Sequence, residues 1–527
     1  MSSVKGFAKF IIVLTTITAA IMELLDTTIV NVALNQMAGS LGATIEDIAW
    51  VITSYAIANV IIIPMTGFLG EYFGRKTYYL TSMILFGIAS YFCGASHGLW
   101  ELVFWRFIQG IGGGALLSTS QAILFDAFTP QDRPMASGLF GMGIILGPTL
   151  GPVIGGYIVD NFTWQQIFFV NIPICILASI LTIVFIDKKE GEGQKKHLIT
   201  IDYTGIFLLT LGIGSLQYVL EKGESEDWFQ SRQIVTVSLL AAIGLIGFIW
   251  RELTTDHPVV NLKIFNHKVF AVSTIFTLVA GFGLFTSVFV YPVLVQRING
   301  FTPYETGLSL LFPTLAGVVL FPLMGKRMSK GDSPIPYMTI GILFFIFFGF
   351  YSATATTDMG RWDFFPMQLM RIIGVAMLQM PLINQAVAGL KPSEYPTGIA
   401  LTNMIRQLGG AFGIALANNF TTNRAAQHRS DLMANMVQEN PLFNERVSNA
   451  ARNMINLTGD AYTATTKAYM QIEMAVNKQA YYLAYLDTFR LVSIFFVFVL
   501  PFLFLLKGKK VSAEEAKAVA KAAAESH

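Results

Sequence analysis

The chain is 527 residues long, 54% hydrophobic and only 13% charged, against roughly 25% charged residues in soluble domains. Such a composition excludes water as the main solvent. The formal net charge of +2 carries no message about a nucleic-acid partner, because in a membrane chain the side on which each Lys and Arg falls outweighs the sum.

Windows of about 20 apolar residues, long enough to cross the hydrocarbon core as a helix, recur along the chain. They fall at 7–33, 47–67, 77–95, 99–123, 135–158, 164–186, 201–220, 233–251, 269–296, 304–326, 335–355, 363–388, 396–420 and 483–506. The prediction is an all-α integral membrane fold of fourteen transmembrane helices. Loops on the N-terminal side hold Lys5, Lys9, Arg75, Lys76, Arg133, Lys188, Lys189, Lys195 and Lys196 among others, whereas the short opposite loops hold Lys222, Arg232, Arg297 and Arg361. Basic residues favour the cytoplasm, so both termini are expected there.

The first span contains Glu23 and Asp26, which argue against a cleaved signal peptide. Three residues apart, they share a helix face and must avoid lipid. Two acids this close cannot easily both ionise in a low-dielectric cavity, which suits one of them to load and release a proton; the alternative is that Asp26 bonds Thr27, Asn31 or an Arg of a neighbouring helix. After the second span comes Gly67-Phe-Leu-Gly-Glu71-Tyr-Phe-Gly74-Arg75-Lys76, whose small residues permit a close helix approach. Glu71 and Arg75 are expected to pair with each other or with helix ends, forming a latch for a cytoplasmic gate or a positive-inside anchor.

In the fourth span Arg106, Gln109, Gly110, Gly113 and Gly114 form one stripe. A guanidinium at membrane depth costs at least about 2.5 kcal/mol, so Arg106 either finds an acceptor or snorkels to the interface. Gly110, Gly112 and Ala115 imitate a dinucleotide fingerprint, but inside an apolar helix that pattern has no meaning. The fifth span repeats glycine every four residues at Gly143, Gly147, Gly151 and Gly155, joined by Pro148, Pro152 and Gly156; a neighbouring helix can approach such a stripe nearly backbone to backbone. Cys93 and Cys175 lie in apolar spans and read as packing residues.

The segments that follow are a charged linker at 187–200 and two spans over 201–251. In the ninth span Phe282, Phe285 and Phe289 recur, and in the twelfth Gln368, Arg371 and Gln379 share a face with Met370, Met377 and Met380 nearby. Flat aromatics and flexible Met suit a promiscuous pocket and suit ordinary packing equally. The thirteenth span carries Asn403, Arg406, Gly409, Gly410 and Gly413. The polar stretch 421–482 favours two or three helical pieces broken near Pro441 and Gly459, and after the last span, 483–507, a tail runs over 508–527. No G-x-x-x-x-G-K-[ST] loop occurs in the chain, so an ion gradient is the expected energy source, with no cofactor and no metal.

Together with Leu25-Asp26-Thr27-Thr28-Ile29-Val30-Asn31-Val32-Ala33-Leu34 in the first span, these motifs resemble those of the 14-helix drug:proton antiporter branch of the major facilitator superfamily, of the EmrB/QacA multidrug efflux type. Trp164, Phe168, Asn171 and Pro173 match a further element at the sixth helix, while Asn35, Glu71 and Gln165 stand where the family commonly has Pro, Asp and Arg. The resemblance implies two pseudo-symmetric six-helix bundles, helices 1–6 (residues 1–186) and 9–14 (first five helices over 252–420), with helices 7–8 inserted between them. It implies alternating access, export of amphipathic or hydrophobic drugs in exchange for protons, and a bacterial inner-membrane location. Asp26, Glu23 and Arg106 become proton-coupling candidates, the first helix's Asp matching the family motif. Arg371, Gln379, Asn403, Arg406, Phe285 and Met377 become candidate substrate contacts. The outside stretch 421–482 is then either a docking surface for a membrane-fusion adaptor that leads to a TolC-type outer-membrane channel, or an insertion in a pump that works alone. The competing functions are export of a specific metabolite or siderophore-like compound, a proton-coupled importer, and a scaffold or sensor of the same fold; several costly buried charges argue against the last.

Overall fold

The computed structural model describes residues 6–129, 131–187, 201–388, 390–434, 436–437 and 439–506, and among these every regular element is helical. Most of the linker 187–200 and the tail 508–527 lie outside the described residues. The long helices are α1 (Gly6–Leu41), α2 (Trp50–Phe73), α3 (Arg75–Ala95), α4 (Leu99–Asp126), α5 (Arg133–Asn161), α6 (Asn171–Phe185), α7 (Tyr203–Lys222), α8 (Arg232–Thr254), α9 (Lys268–Leu294), α10 (Pro303–Ser329), α11 (Pro334–Ser352), α12 (Phe365–Gln385), α13 (Tyr395–Met433) and α14 (Ala461–Val499). An amphipathic helix, Pro441–Thr458, lies between the last two. Thirteen of the described helices are long and apolar enough to cross a membrane by length and composition. The expected fourteen is reached only with α4, whose Glu101, Arg106, Gln109 and Gln121 dilute its hydropathy although it spans 28 residues.

Helix ends follow local chemistry. Thr302 and Glu305 form a reciprocal capping box at the start of α10, satisfying amide groups that the first turn leaves free. Gly74, at φ +84°, turns α2 directly into α3, a conformation that a side chain would strain.

The contacts reveal the pseudo-symmetry. Within the first six helices α1 packs on α5, α2 on α4, α3 on α4 and α3 on α6; eight helices later the same pairs recur as α9 with α13, α10 with α12, α11 with α12 and α11 with α14. Across the two units α5 packs on α10 and α2 on α13, again an exchange of equivalents. Helices α7 and α8 pair with each other, and α7 lies against both α2 and α13. Ile176, Ile180 and Val184 of α6 and Leu239, Ile243, Ile246 and Trp250 of α8 point outward, as lipid contact requires.

Two helices exceed their apolar windows. Helices α13 and α14 each run 39 residues, well past the spans 396–420 and 483–506, because hydropathy detects only the lipid-facing part while the polar continuation is rich in good helix formers. These continuations stay paired: Thr421 and Thr488 hydroxyls meet at 2.7 Å, Asp487 accepts from Arg424 Nη2 at 2.5 Å and contacts His428 at 2.9 Å, and Arg429 reaches Glu473 at 3.0 Å.

Candidate functional site: a polar cavity between the bundles

The glycine stripes determine how closely the helices around the site approach. On α5, a Cβ at Gly147 would clash with Leu24 and lie 3.1 Å from the Ile21 carbonyl oxygen, and one at Gly151 would clash with Thr28 and lie 3.0 Å from the Ile29 amide nitrogen. This face therefore seats α1 within its own bundle. Gly155 also meets Ile29, whereas Gly143 has ordinary contact distances of 3.4 Å or more. A second face, with Gly138, Gly141 and Gly156, packs on α10 of the other bundle at Phe321 and Tyr304. The equivalent helix α13 seats α9 through Gly409, Gly410 and Gly413 against Leu278, Phe285 and Thr286. Pro148 and Pro152 lie inside α5, where each removes a backbone donor.

With α1 held this way, its two acids take different partners. Asp26 is fully buried: its Oδ2 accepts from Arg106 Nη1 at 2.5 Å, and its Oδ1 accepts from Asn171 Nδ2 at 2.7 Å and Gln109 Nε2 at 3.1 Å. Arg106 also donates to Gln109 Oε1 and the Val51 carbonyl oxygen, and its guanidinium lies 4.2 Å from the Tyr55 ring centroid, a cation–π arrangement. Of the two readings of Arg106, an acceptor or snorkelling to the interface, the structure shows the first: it is 1% exposed, held inward by an ion pair. Glu23 instead faces α2, where Asn59 Nδ2 donates to its Oε1 at 3.0 Å. Asn59 in turn accepts from Gln407 Nε2 of α13 at 3.0 Å, so one polar chain joins the bundles. The second Glu23 oxygen is buried and makes no hydrogen bond.

A cavity of about 310 Å³ opens beside this chain. Glu23, Thr28 and Asn31 of α1, Tyr55 of α2, Arg106 of α4, Phe285 and Phe289 of α9, and Arg406, Gln407 and Asn418 of α13 line it, together with Gln217, Leu220 and Glu221 of α7 and Glu224 just beyond. Arg406, 4% exposed, has no hydrogen bond or ion pair to its side chain among the described residues. The cavity thus holds a carboxylate on one bundle and a guanidinium on the other, with aromatic rings between polar groups. Such a site can take an amphipathic molecule, and a change of charge at Glu23 alters the attraction between the halves.

Toward the end that holds the N-terminus, the bundles are closed. Arg133 donates to the Tyr395 hydroxyl at 2.8 Å, Ser137 to Asn384 Oδ1 at 2.7 Å, and Asn403 Nδ2 to Ser118 and Gln121 at 3.1 and 3.3 Å. Gly67 abuts Thr397 of α13, where an added Cβ would lie 2.9 Å from its hydroxyl. Of the partners expected for Arg75, Glu71 or a helix end, the structure shows the second: it pairs with Asp126 at the end of α4, while Glu71 is exposed. The turn at Gly74 carries Arg75 away from Glu71 and toward α4. Lys76 donates to the Ile183 carbonyl oxygen of α6 at 2.8 Å.

Of the expected substrate contacts, the structure places Phe285 and Arg406 on the cavity wall. Asn403 belongs to the closed interface. Arg371 is buried and donates to Gln368 Oε1 at 2.7 Å, Gln379 is buried with an unpaired Nε2, and Met377 packs against the largest hydrophobic core, which both bundles share. The three polar residues of α12 are all buried, but none is among the residues lining the cavity. Asn59, Gln407, Gln217 and Glu221 were not singled out from sequence, although a polar side chain such as Asn59 inside an apolar helix is itself a signal.

Residues 16–414 match the Major Facilitator Superfamily. Multidrug export protein EmrB of Escherichia coli (strain K12) is 34% identical over 427 residues, 80% of this chain and 82% of that protein. Fatty acid resistance protein FarB of Neisseria gonorrhoeae is 31% identical over 95% of this chain and 97% of its own. Among solved structures, the human organic anion transporter MFSD10 superposes with a TM-score of 0.57 at 13% identity, covering 95% of this chain and 99% of that one, a likeness of fold alone.

Proposed function

Because the chain belongs to the major facilitator superfamily, we propose that it exports amphipathic or hydrophobic drugs from the cytoplasm in exchange for protons, the two six-helix units rocking about the central cavity. The observation that carries this reading is the polar cavity with Glu23 on one bundle and Arg406 on the other. When Glu23 is ionised, it attracts Arg406 and any cationic group of a drug; when protonated, it does neither. Exchange follows if a proton and a drug compete for the same carboxylate in opposite states. Asp26 and Arg106 hold α1 and α4 together through their ion pair. On this reading both termini are cytoplasmic and the membrane is the bacterial inner one, so that the closed contacts at the N-terminal end make this state outward-facing. Purified protein in proteoliposomes provides the test: an imposed pH gradient should drive drug accumulation against its concentration, and a protonophore should stop it. Accumulation indifferent to the gradient would remove proton coupling from the reading.

The paired continuations of α13 and α14 with helix Pro441–Thr458 form a hairpin that, in this orientation, stands outside the membrane. It exposes Leu442, Tyr462, Met470 and Met474, apolar side chains that a protein partner would cover. We take that partner to be a membrane-fusion adaptor leading to an outer-membrane channel. Since Arg429 and Glu473 still touch, replacing residues 430–472 by a short Gly/Ser bridge should leave the clamp at Asp487 intact. Transport in vesicles is expected to persist while drug resistance in cells falls to that of cells without the pump. Full resistance with the bridged protein would exclude an adaptor at this hairpin.

A further inference from the structure

The two-helix insertion is not a bystander to the cavity. Helix α7 lies in the seam between α2 and α13, with Gly214 at 3.1 Å, measured from an ideal Cβ, from Ile61 of α2. Its last two turns bring Gln217, Leu220 and Glu221 to the cavity wall. The connection that follows is tied to the second bundle, because Glu224 accepts from Asn418 Nδ2 at 2.7 Å and from the Thr422 hydroxyl at 2.9 Å. The next residue but one before it, Lys222, turns away: its Nζ donates to the Glu46 carbonyl oxygen at 3.1 Å and lies 5.3 Å from the Trp50 ring centroid. Glu221 therefore lines the cavity with no hydrogen bond or ion pair to a cation among the described residues, Lys222 acting on it only through its charge.

Gln217 supplies an independent sign of a ligand. It is 2% exposed, its Nε2 donates to Glu221 Oε1 at 3.0 Å, and its Oε1 is buried with no hydrogen bond. The carboxylate fixes the amide's orientation, since an oxygen turned toward Glu221 would meet a like charge. A buried unpaired acceptor costs free energy until a donor arrives. Gln217, with its unpaired acceptor, and Glu221 thus line the same cavity as the rings of Phe285 and Phe289. The complement is a flat apolar body bearing N–H donors on a positive charge. The other charges in the wall are compatible: Arg106 is neutralised by Asp26, leaving Glu23, Glu221 and Glu224 against Arg406.

We propose that the end of α7 is part of the transport path, with Gln217 and Glu221 forming a subsite for the ammonium or amidinium group of an amphipathic cation. This rests on the export reading above and adds to it a role for the insertion. The subsite takes the cationic end at the cavity's rim while the aromatic wall takes the rest of the molecule. The insertion then selects among substrates, and the shared core of the two bundles moves them.

The test uses the full-length protein in nanodiscs and two fluorescent probes of similar shape, 9-aminoacridine, a planar cation with N–H donors, and acridone, its neutral counterpart. A hydrogen bond to a charged group contributes roughly 1.5–3 kcal/mol, so Glu221→Gln should weaken 9-aminoacridine binding by about tenfold or more and leave acridone within about twofold. Gln217→Leu should weaken the cation in the same direction with Glu221 still present, and Glu221→Asp should recover part of the loss. Unchanged 9-aminoacridine affinity in Glu221→Gln overturns the subsite, as does an equal loss of both probes, which would mark general damage to the cavity. Wild-type binding of 9-aminoacridine with gradient-driven export, joined to either of those results, removes this inference alone. A wild-type protein that binds neither probe and exports nothing removes the export reading and the subsite with it.

Discussion

Glu23→Gln is expected to abolish drug accumulation driven by a pH gradient in proteoliposomes while leaving the amount and melting temperature of the folded protein close to wild type. Glutamine keeps an oxygen for Asn59 Nδ2, and the second Glu23 oxygen has no partner to lose. What disappears is a charge that can be cancelled by a proton. Asp26→Asn should behave differently. It removes the counter-charge of Arg106, which is 1% exposed, and an uncompensated buried charge costs about 3–5 kcal/mol. Loss of folded protein should accompany its loss of transport. Adding Arg106→Gln to Asp26→Asn should restore yield, since the buried charge is then gone, without restoring coupled transport if the pair matters for coupling. Gradient-driven accumulation by Glu23→Gln at the wild-type rate would place the coupling group elsewhere.

The second large effect concerns α5. Gly151→Leu should abolish export, and it should also lower the yield of folded protein, because the close approach to α1 at Thr28 and Ile29 already exists in this conformation. Overpacking typically costs about 1–3 kcal/mol, and here backbone atoms stand in the way as well as side chains. A graded series separates this from a general intolerance of the helix. Gly143→Ala, with its nearest neighbour at 3.4 Å, is expected to be neutral in yield and transport, while Gly147→Ala and Gly151→Ala are damaging. Equal tolerance at all three positions, read by size-exclusion yield and dye efflux, would show that the stripe is not a packing device.

Much of the helical plan was legible in the sequence, since a segment that crosses lipid must satisfy its backbone internally and announce itself as an apolar window. The windows underestimated α13 and α14, whose continuations leave lipid without ceasing to be helical. At the site, the buried polar side chains that α1 and α4 contribute were legible because Glu23, Asp26 and Arg106 are costly inside an apolar helix. Their pairing was not. Spacing along α1 places Glu23 and Asp26 on one face, yet only packing decides that Asp26 meets Arg106 and Asn171 while Glu23 meets Asn59. The same limit applies to α12, where helical spacing grouped Gln368, Arg371 and Gln379, all three buried, but could not say that none of them is among the residues lining the cavity. The contribution of α7 was illegible for a further reason: Gln217 and Glu221 gain meaning only from the seam that α7 fills, a contact between segments nearly 200 residues apart.

The length of α13 has a mechanical consequence. At 1.5 Å per residue its 39 residues make a rod of about 58 Å, roughly twice the thickness of the hydrocarbon core. Arg406 and Gln407 lie in its first third and Arg424 and His428 in its last, the latter gripping Asp487 of the equally long α14. A helix so clamped moves as one piece. A tilt of a few degrees at the cavity therefore becomes a sweep of several ångströms at the far tip, and the hairpin works as a pointer that reports, outside the membrane, which way the cavity faces.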